Sequence, residues 1–267
     1  MQGRVLICAG SDSGGGAGIQ ADIKTTTVLG GFAMTAITAL TAQNTIGVQN
    51  ILPIPTHFVI EQMVSILSDI GADVIKTGML GSPDIVRAII DTAETHAPNA
   101  KLVVDPVMRA KGGAALIDDA TTEVMRTVLV RRADIVTPNI PEAEALSGLS
   151  ITSEDDMRRA ADAILLAGPQ AVLIKGGHLS DHTLTDILRN RDGQEWTFTA
   201  KRIDTIHTHG TGCAMAAAIS TGLAQGLALN KAVGRAQAFV QQAIMSAPGY
   251  GEGHGPLNYS CDLKSDL

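Results

Sequence analysis

The stretch "HTHGTGCAMAAAIS", residues 207–220, joins a glycine-rich turn to an alanine-rich segment that favours a helix. Gly210 and Gly212 suit a tight turn whose backbone amides point outward from the start of that helix. A helix N-terminus binds anions, because its first amides lack intrahelical acceptors and carry the positive end of the helix dipole. The turn also places a thiol, Cys213, in the first helical turn. We therefore expect an anion site with a cysteine at its mouth.

Outward from this stretch, β-rich runs alternate with helical patterns. The runs are "RVLICAG" (4–10), "TAITALTAQN" (35–44), "DVIKTG" (73–78), "KLVVDPV" (101–107), "ADIVTPN" (133–139) and "QAVLIKGG" (170–177). Helices are expected at 18–29, 57–70, 118–130, 212–227 and 231–247, after Ser82-Pro83, and from the capping-box pattern at 152–156. This alternation predicts an α/β fold with three layers, a mostly parallel central sheet with helices on both faces. Asp192-Gly193 predicts a hairpin.

The bulk properties indicate one globular domain over residues 1–259, with a flexible tail at 260–267 in which Cys261 is exposed. A net charge of −7 favours neither nucleic acid nor an anionic membrane as the partner. No apolar run approaches the roughly 20 residues of a membrane span. The three cysteines, Cys8, Cys213 and Cys261, are odd in number and far apart. That pattern argues against a disulfide framework and predicts a cytoplasmic location.

Polar residues follow several of the predicted strands. "GSDSGGGAG" follows the first strand, "TGML" follows "DVIK", Asp105 follows "LVV", and Asn139 with Glu142 follows "DIVTP". Lys175 ends "AVLIK". In open α/β sheets ligands bind at the carboxyl ends of the strands, so we expect these segments to share one site. Neither G-x-x-x-x-G-K-[ST] nor a helix-opening G-x-G-x-x-G is present, which removes the main support for a nicotinamide cofactor.

The same residues fit phosphoryl transfer, which requires charge neutralisation, Mg²⁺ and in-line placement. Lys175 offers a cation for phosphate oxygens, and Glu142 and Asp105 can orient water around Mg²⁺. Cys213 can act as a base, and the helix N-terminus is expected to lower its pKa from ~8.5. Each residue has a structural alternative: Asp105 as a turn residue, Glu142 as a helix cap, Lys175 as a solvated charge, Cys213 as a buried apolar residue.

Seven motifs occur in order: "AGSDSGGGAGIQADIKT", "TALTAQNT", "KTGML", "VVDPVM", "TPNIPEAEAL", "IKGGHL" and "THGTGC". Over residues 5–259 the chain thereby resembles the bacterial hydroxymethylpyrimidine/phosphomethylpyrimidine kinases, bifunctional enzymes of thiamin synthesis with a ribokinase-like fold. The resemblance implies ATP- and Mg²⁺-dependent phosphorylation of 4-amino-5-hydroxymethyl-2-methylpyrimidine, and then of its monophosphate. It also implies a homodimer.

The resemblance further implies roles for individual residues. Gly210 and Gly212 would form the anion hole, with Cys213 as the catalytic base. Asn139, Thr211 and Lys175 would bind ATP, and Glu142 and Asp105 would serve Mg²⁺. The pyrimidine pocket would be lined by Gln43, Gly10, Ala17, Met79 and Val107. Gln237 and Ala114 depart from the usual pattern of the family, which bears on phosphate binding and on closure of the loop after Asp105.

Two other functions remain open at this point. A pyridoxal kinase uses the same scaffold, and a nucleotide-binding regulator would retain the fold without catalysis. Gln43 favours the aminopyrimidine, because an amide can both donate to and accept from an amine and a ring nitrogen. The presence of Cys213, Glu142 and Lys175 together favours a catalyst over a regulator.

Overall fold

The computed structural model describes residues 3–109, 113, 116–177 and 183–261. Its strands are β1 (Arg4–Asp12), β2 (Phe32–Gln43), β3 (Val48–Pro53), β4 (Val74–Thr77), β5 (Lys101–Val104), β6 (Ile135–Val136), β7 (Ala171–Lys175), β8 (Thr183–Asn190) and β9 (Glu195–Lys201). Within the described residues they form one sheet of nine strands, in the order β3-β2-β1-β4-β5-β6-β7-β8-β9. Six neighbouring strands pair in parallel, in the order β2-β1-β4-β5-β6-β7, and β3, β8 and β9 pair antiparallel at the two edges.

The helices connect the strands along both faces of this sheet. They are α1 (Gly18–Val28), α2 (Thr56–Leu67), α3 (Pro83–His96), α4 (Asp119–Val124), α5 (Val130–Arg132), α6 (Ile140–Ser147), α7 (Glu154–Leu166), α8 (Thr211–Ala224) and α9 (Leu229–Met245). A π-helical turn, Met125–Leu129, joins α4 to α5. None of the helices in the described residues is long and apolar enough to cross a membrane.

Strand periodicity produces the two helical layers. Successive side chains of a strand point to opposite faces, so neighbouring apolar residues enter different clusters. Val74 packs in the cluster of α1, α8 and α9, whereas Ile75 packs in the cluster of α2, α3, α6 and α7. Val103 and Val104 divide in the same way. The predicted three-layer α/β fold with a mostly parallel sheet is confirmed.

The sequence correctly predicted where α3 and α7 begin, and the structure differs from the prediction only in how α7 is capped. The Ser82 hydroxyl accepts the Ile85 amide, with Pro83 at the first helical position of α3. At α7 the Ser153 hydroxyl caps as expected, but the Asp156 carboxylate accepts from Thr152 rather than from the amide of the cap residue. The α7 start is therefore an N-cap without the reciprocal half of a capping box. The Asp192-Gly193 hairpin is confirmed between β8 and β9.

One strand and one cysteine depart from the prediction. β3 was not predicted, because five of its six residues are exposed and it lacks the alternation that marks a half-buried strand. Cys261, expected to be exposed, is buried in the cluster of α8 and α9 with Leu257 and Tyr259. The ordered packing therefore extends to residue 261, and the rest of the predicted tail, like Ala114, lies outside the described residues.

Candidate active site

The carboxyl ends of β1, β4, β5 and β7 meet at one edge of the sheet, as parallel pairing requires. A cavity of about 1040 Å³ lies along this edge. It is lined by every predicted site residue: Gly10, Ala17, Gln43, Met79, Asp105, Val107, Asn139, Glu142, Lys175, Gly210, Thr211, Gly212 and Cys213. The structure thus brings together residues from segments far apart in the chain. Their individual roles stay predictions.

The turn at the start of α8 has the form expected of an anion site. Gly210 caps the helix with φ +89°, in the left-handed region that favours glycine. A Cβ on Gly210 would lie only 1.8 Å from the carbonyl oxygen of Gly16. Among the described residues, the amides of Gly212 and Cys213 have no protein acceptor. These two amides are available to an oxyanion or phosphate.

A partly buried ion pair faces this turn. Nζ of Lys175 lies 3.3 Å from Oδ1 of Asp105, whose Oδ2 is buried without a hydrogen-bond partner. A Cβ on Gly212 would lie 3.5 Å from that Nζ and 3.6 Å from that Oδ2, so glycine keeps the space between turn and pair open. Burial lowers the pKa of Lys175, but the carboxylates of Asp105 and Glu142 outweigh it and raise that pKa. Lys175 is therefore a fixed cation.

Glu142 caps helix α6, which is the structural alternative that the sequence left open beside a role in binding Mg²⁺. The Asn139 side chain accepts the Glu142 amide, and Oε2 of Glu142 accepts the Asn139 amide, each at 2.9 Å, which is a complete capping box for α6. Burial raises the pKa of Glu142 to about 7, while Lys175 lowers it. The cap fixes the carboxyl group at the cavity wall.

The residues present fit a Mg²⁺ ion carried by phosphate. In the described residues no group of three or more His, Cys, Asp or Glu side chains could hold a metal by itself. Mg²⁺ usually keeps several waters and binds through one or two carboxylates together with substrate phosphates. The unpartnered Oδ2 of Asp105 and the carboxyl group of Glu142 supply such a pair.

The expected low pKa of Cys213 is wrong. Burial raises the pKa of this thiol to about 12, and the carboxylates of Asp22 and Asp105 add to the rise. Lys76 and the Gly18 amide lower the pKa by less than burial raises it. These two favourable interactions do not offset burial, so the Cys213 thiol is protonated at neutral pH.

The other predicted pocket residues lie near β1 and β2. Gly10 is held against Met79, since a Cβ on Gly10 would lie 2.5 Å from the Met79 methyl group. Oε1 of Gln43 accepts a hydrogen bond from the Thr41 hydroxyl at 3.1 Å. The amide nitrogen of Gln43 lies 3.4 Å from Nε2 of His209. Because that imidazole nitrogen donates to Asp12, it cannot also accept from Gln43, which leaves the Gln43 amide nitrogen for a ligand.

Two side-chain pairs at the cavity were not among the predicted site residues. Nε2 of His209 donates to Oδ2 of Asp12 over 2.8 Å. Burial raises the pKa of Asp12, but hydrogen bonds from His209, Gly14 and Ala17 outweigh it and leave that pKa below its usual range. The Asp12–His209 pair ties the first glycine loop to the α8 turn. The position of Asp12 inside "GSDSGGG" was a usable signal, because Asp commonly accepts from nearby amides in turns.

The second pair is Lys76 in β4 and Asp22 in α1, with Nζ and Oδ2 2.8 Å apart. Neither side chain is exposed, and Lys76 borders the cavity. The pattern around "DVIKTG" is that of an ordinary strand, and Asp22 lies far away in the chain. No local signal joined these two residues.

Comparison with known proteins agrees with this geometry. The family described as phosphomethylpyrimidine kinase matches residues 12–258. The chain is 44% identical to the hydroxymethylpyrimidine/phosphomethylpyrimidine kinase of Bacillus subtilis (strain 168), over 99% of this chain and 97% of that protein. Among solved structures, pyridoxal kinase from Staphylococcus aureus in complex with pyridoxal superposes with a TM-score of 0.90 at 37% identity, covering 98% of this chain and 94% of that one.

Phosphomethylpyrimidine kinase from Clostridium difficile 630 superposes with a TM-score of 0.80 at 38% identity, covering 90% of this chain and 99% of that one. These structures share the fold, which is therefore ribokinase-like as the motifs predicted. The family match covers most of the chain and includes both the glycine loop and the α8 turn. The chain belongs to the phosphomethylpyrimidine kinase family.

Proposed function

We propose that this protein is an ATP-dependent kinase that phosphorylates 4-amino-5-hydroxymethyl-2-methylpyrimidine, and then its monophosphate, in thiamin biosynthesis. One observation supports this most directly: the Cys213 thiol, the free amides of the α8 turn and the Asp105–Lys175 pair line a single cavity. The names of the relatives, among them the Bacillus subtilis enzyme, give the acceptor.

The sheet order supports separate places for the two substrates. Gln43 ends β2 and Met79 follows β4, on one side of β5, whereas Leu184 and Ala200 lie in β8 and β9 on the other side. Asp105 follows β5, between these two regions. We assign the pyrimidine to the β2 side and ATP to the β8 side, where apolar residues including Ile203 and Val240 can cover a base. A cavity of about 1040 Å³ exceeds the usual size for one small ligand.

In the proposed step, the acceptor hydroxyl attacks the terminal phosphorus and forms the new O–P bond. The bond from that phosphorus to the bridging oxygen breaks, and its electron pair stays with ADP. Because the pKa of Cys213 is about 12, the thiol first releases its own proton to solvent in the cavity, and the resulting thiolate then takes the hydroxyl proton. The Gly212 and Cys213 amides and Lys175 stabilise the charge on the transferring oxygens.

Mg²⁺ would be held by Asp105 and Glu142, and when bound it neutralises phosphate charge. In this proposal Asn139 fixes the Glu142 carboxyl group through the capping box, and Thr211 lies beside the anion hole. We also propose a cytoplasmic location, since Cys8, Cys213 and Cys261 are all free thiols.

An ATP-consumption assay with three acceptors tests the proposal. Hydroxymethylpyrimidine and its monophosphate should each be phosphorylated with a higher kcat/KM than pyridoxal. Pyridoxal is the second candidate, because pyridoxal kinases superpose on this chain with TM-scores of 0.89 and 0.90. If only pyridoxal is phosphorylated, the proposed function is wrong and the protein is a pyridoxal kinase. If ATP binds but no acceptor is phosphorylated, the result favours a nucleotide-binding regulator.

Gln43→Leu tests the acceptor assignment. The variant should raise the KM for the pyrimidine at least about tenfold, because it leaves polar ring atoms unpaired, while the KM for ATP changes little. Gln49→Leu, an exposed amide in β3 that does not line the cavity, is the matched control. Equal effects of Gln43→Leu on both KM values would contradict the placement of the pyrimidine beside β2.

A further inference from the structure

The Lys76–Asp22 pair lies on the same side of the sheet as Cys213. Side chains of β4 alternate between the two faces, and Val74 packs in the cluster that contains α8. Lys76, two residues later, therefore points to the α8 face. A Cβ on Gly78 would lie 3.1 Å from Nζ of Lys76, so glycine leaves room above the ammonium. The ammonium and the thiol thus approach the cavity from the sheet and from the helix above it.

Packing alone does not account for this pair. The neighbouring positions on this face of the central strands are apolar: Val103 in β5, Ile135 in β6 and Leu173 in β7. Burying an ion pair is costly, and an apolar pair of similar volume is often equally stable or more stable. Oδ1 of Asp22 is also buried without a partner, which adds to the cost.

The titratable groups that interact electrostatically with Lys76 come from four surrounding elements, and one of them, Cys8, packs on the opposite face of the sheet. They are Asp22 in α1, Cys8 in β1, Cys213 in α8 and Asp105 after β5. Lys76 lowers the pKa of the Cys213 thiol, whereas Asp22 and Asp105 raise it, and of these three charges Lys76 acts most strongly. Asp22 is the one hydrogen-bond partner of the Lys76 ammonium among the described residues. Two of its three N–H donors remain for negative charge nearby.

We propose that Lys76 is a positioning residue for phosphoryl transfer, whose buried ammonium stabilises the negative charge of the Cys213 thiolate, which then takes the proton of the acceptor hydroxyl. Asp22 holds that ammonium in place. This inference rests on the proposed function, in which Cys213 takes the proton. It explains how a half-buried thiol can serve as a base, because the compensating cation is built into the sheet.

Two variants separate this role from a purely structural one, because they shift the thiolate population in opposite directions. Asp22→Asn removes an anion and keeps the cation, so Cys213 should be alkylated faster by iodoacetamide. The double variant Lys76→Met with Asp22→Asn removes both charges and should be alkylated more slowly. At about pH 8.5 the alkylation rate is proportional to the thiolate fraction, so changes of about threefold to tenfold are expected. Site-resolved mass spectrometry of the substrate-free protein distinguishes Cys213 from Cys8 and Cys261.

The kinetic readout uses the same variants. The double variant should lower kcat at neutral pH at least about tenfold, recover part of it at higher pH, and keep the KM for ATP. Alkylation rates that change in the same direction in both variants, or in neither, would overturn the inference. If the double variant does not fold, Asp22→Asn decides alone, since an unchanged or slower alkylation rate contradicts the proposal. The alkylation needs no substrate, so a failure of the proposed acceptor would appear only in the ATP assay.

Discussion

At the scale of single residues, the proposed chemistry depends on the Cys213 sulfur. Cys213→Ala should lower kcat by about 10²- to 10⁴-fold, the usual contribution of a general base, and leave acceptor binding largely intact. Rapid-quench kinetics and calorimetric titration with the pyrimidine separate these two effects. Cys8→Ala is the control, because Cys8 is a fully buried thiol in β1 that does not line the cavity. Turnover by Cys213→Ala at the parent rate would refute the base assignment.

Gly210 allows a prediction about the anion hole. Gly210→Ala should place a methyl group 1.8 Å from the Gly16 oxygen, and the left-handed backbone alone costs about 1–2 kcal/mol. We expect a lower melting temperature and loss of most phosphoryl transfer, measured by scanning calorimetry and the ATP assay. Gly226→Ala is matched in backbone strain, with φ +84° and no atom within 4 Å of the added Cβ, and should lose stability while retaining kcat. Equal loss of kcat in both variants would mean that strain rather than the turn is responsible.

The sequence located the residues that line the cavity better than it predicted their ionisation. The glycine turn and the strand-end residues can be read locally, and all of them line the cavity. The pKa of Cys213 depends on burial and on Asp22, Lys76 and Asp105, which come from other elements. No spacing rule contains that information. For the same reason the Lys76–Asp22 pair emerged only from the folded arrangement.

At the scale of elements, the central strands were predictable because they are buried on both faces and read as short apolar runs bounded by turn residues. β3 could not be predicted in this way, because most of its side chains are exposed. Its backbone pairs only with β2 among the described residues, so its outer edge is open. No Asp, Glu, Lys or Arg occurs between Lys24 and Glu61, although charges are the usual protection of an exposed edge.

We propose that a second copy of the chain covers this edge. An uncharged edge can meet its own copy across a two-fold axis without repulsion, and Leu52 and Ile51 in β3 expose apolar surface there. Leu52→Glu should shift the protein from dimer to monomer, measured by sedimentation equilibrium. Leu166→Glu, at an exposed leucine at the end of α7, is the control and should leave the mass unchanged. A monomeric parent protein, or a dimeric Leu52→Glu variant, would refute this interface.

At the scale of the whole molecule, one sheet separates the two proposed substrate regions and places the reacting groups between them. The Asp12–His209 pair and the hydrogen bond from the Tyr259 hydroxyl to the Gly16 oxygen hold the first loop against the α8 turn. That the described residues act as one domain remains a prediction, supported by the continuous sheet. Chain order alone could not show that residues 16, 209 and 259 converge.

This arrangement predicts that each substrate stabilises the folded protein independently. A ligand at one hundred times its Kd adds about 2.7 kcal/mol of stability, so a non-hydrolysable ATP analogue and the pyrimidine should each raise the melting temperature of the parent protein. Lys175→Gln should remove most of the shift caused by the nucleotide and keep that caused by the pyrimidine. Gln43→Leu should remove most of the shift caused by the pyrimidine and keep that caused by the nucleotide. The reason is that Gln43 ends β2 and Lys175 ends β7, on opposite sides of β5. Differential scanning fluorimetry of the two variants checks both. If either variant loses both shifts together, the two substrates do not occupy separate regions.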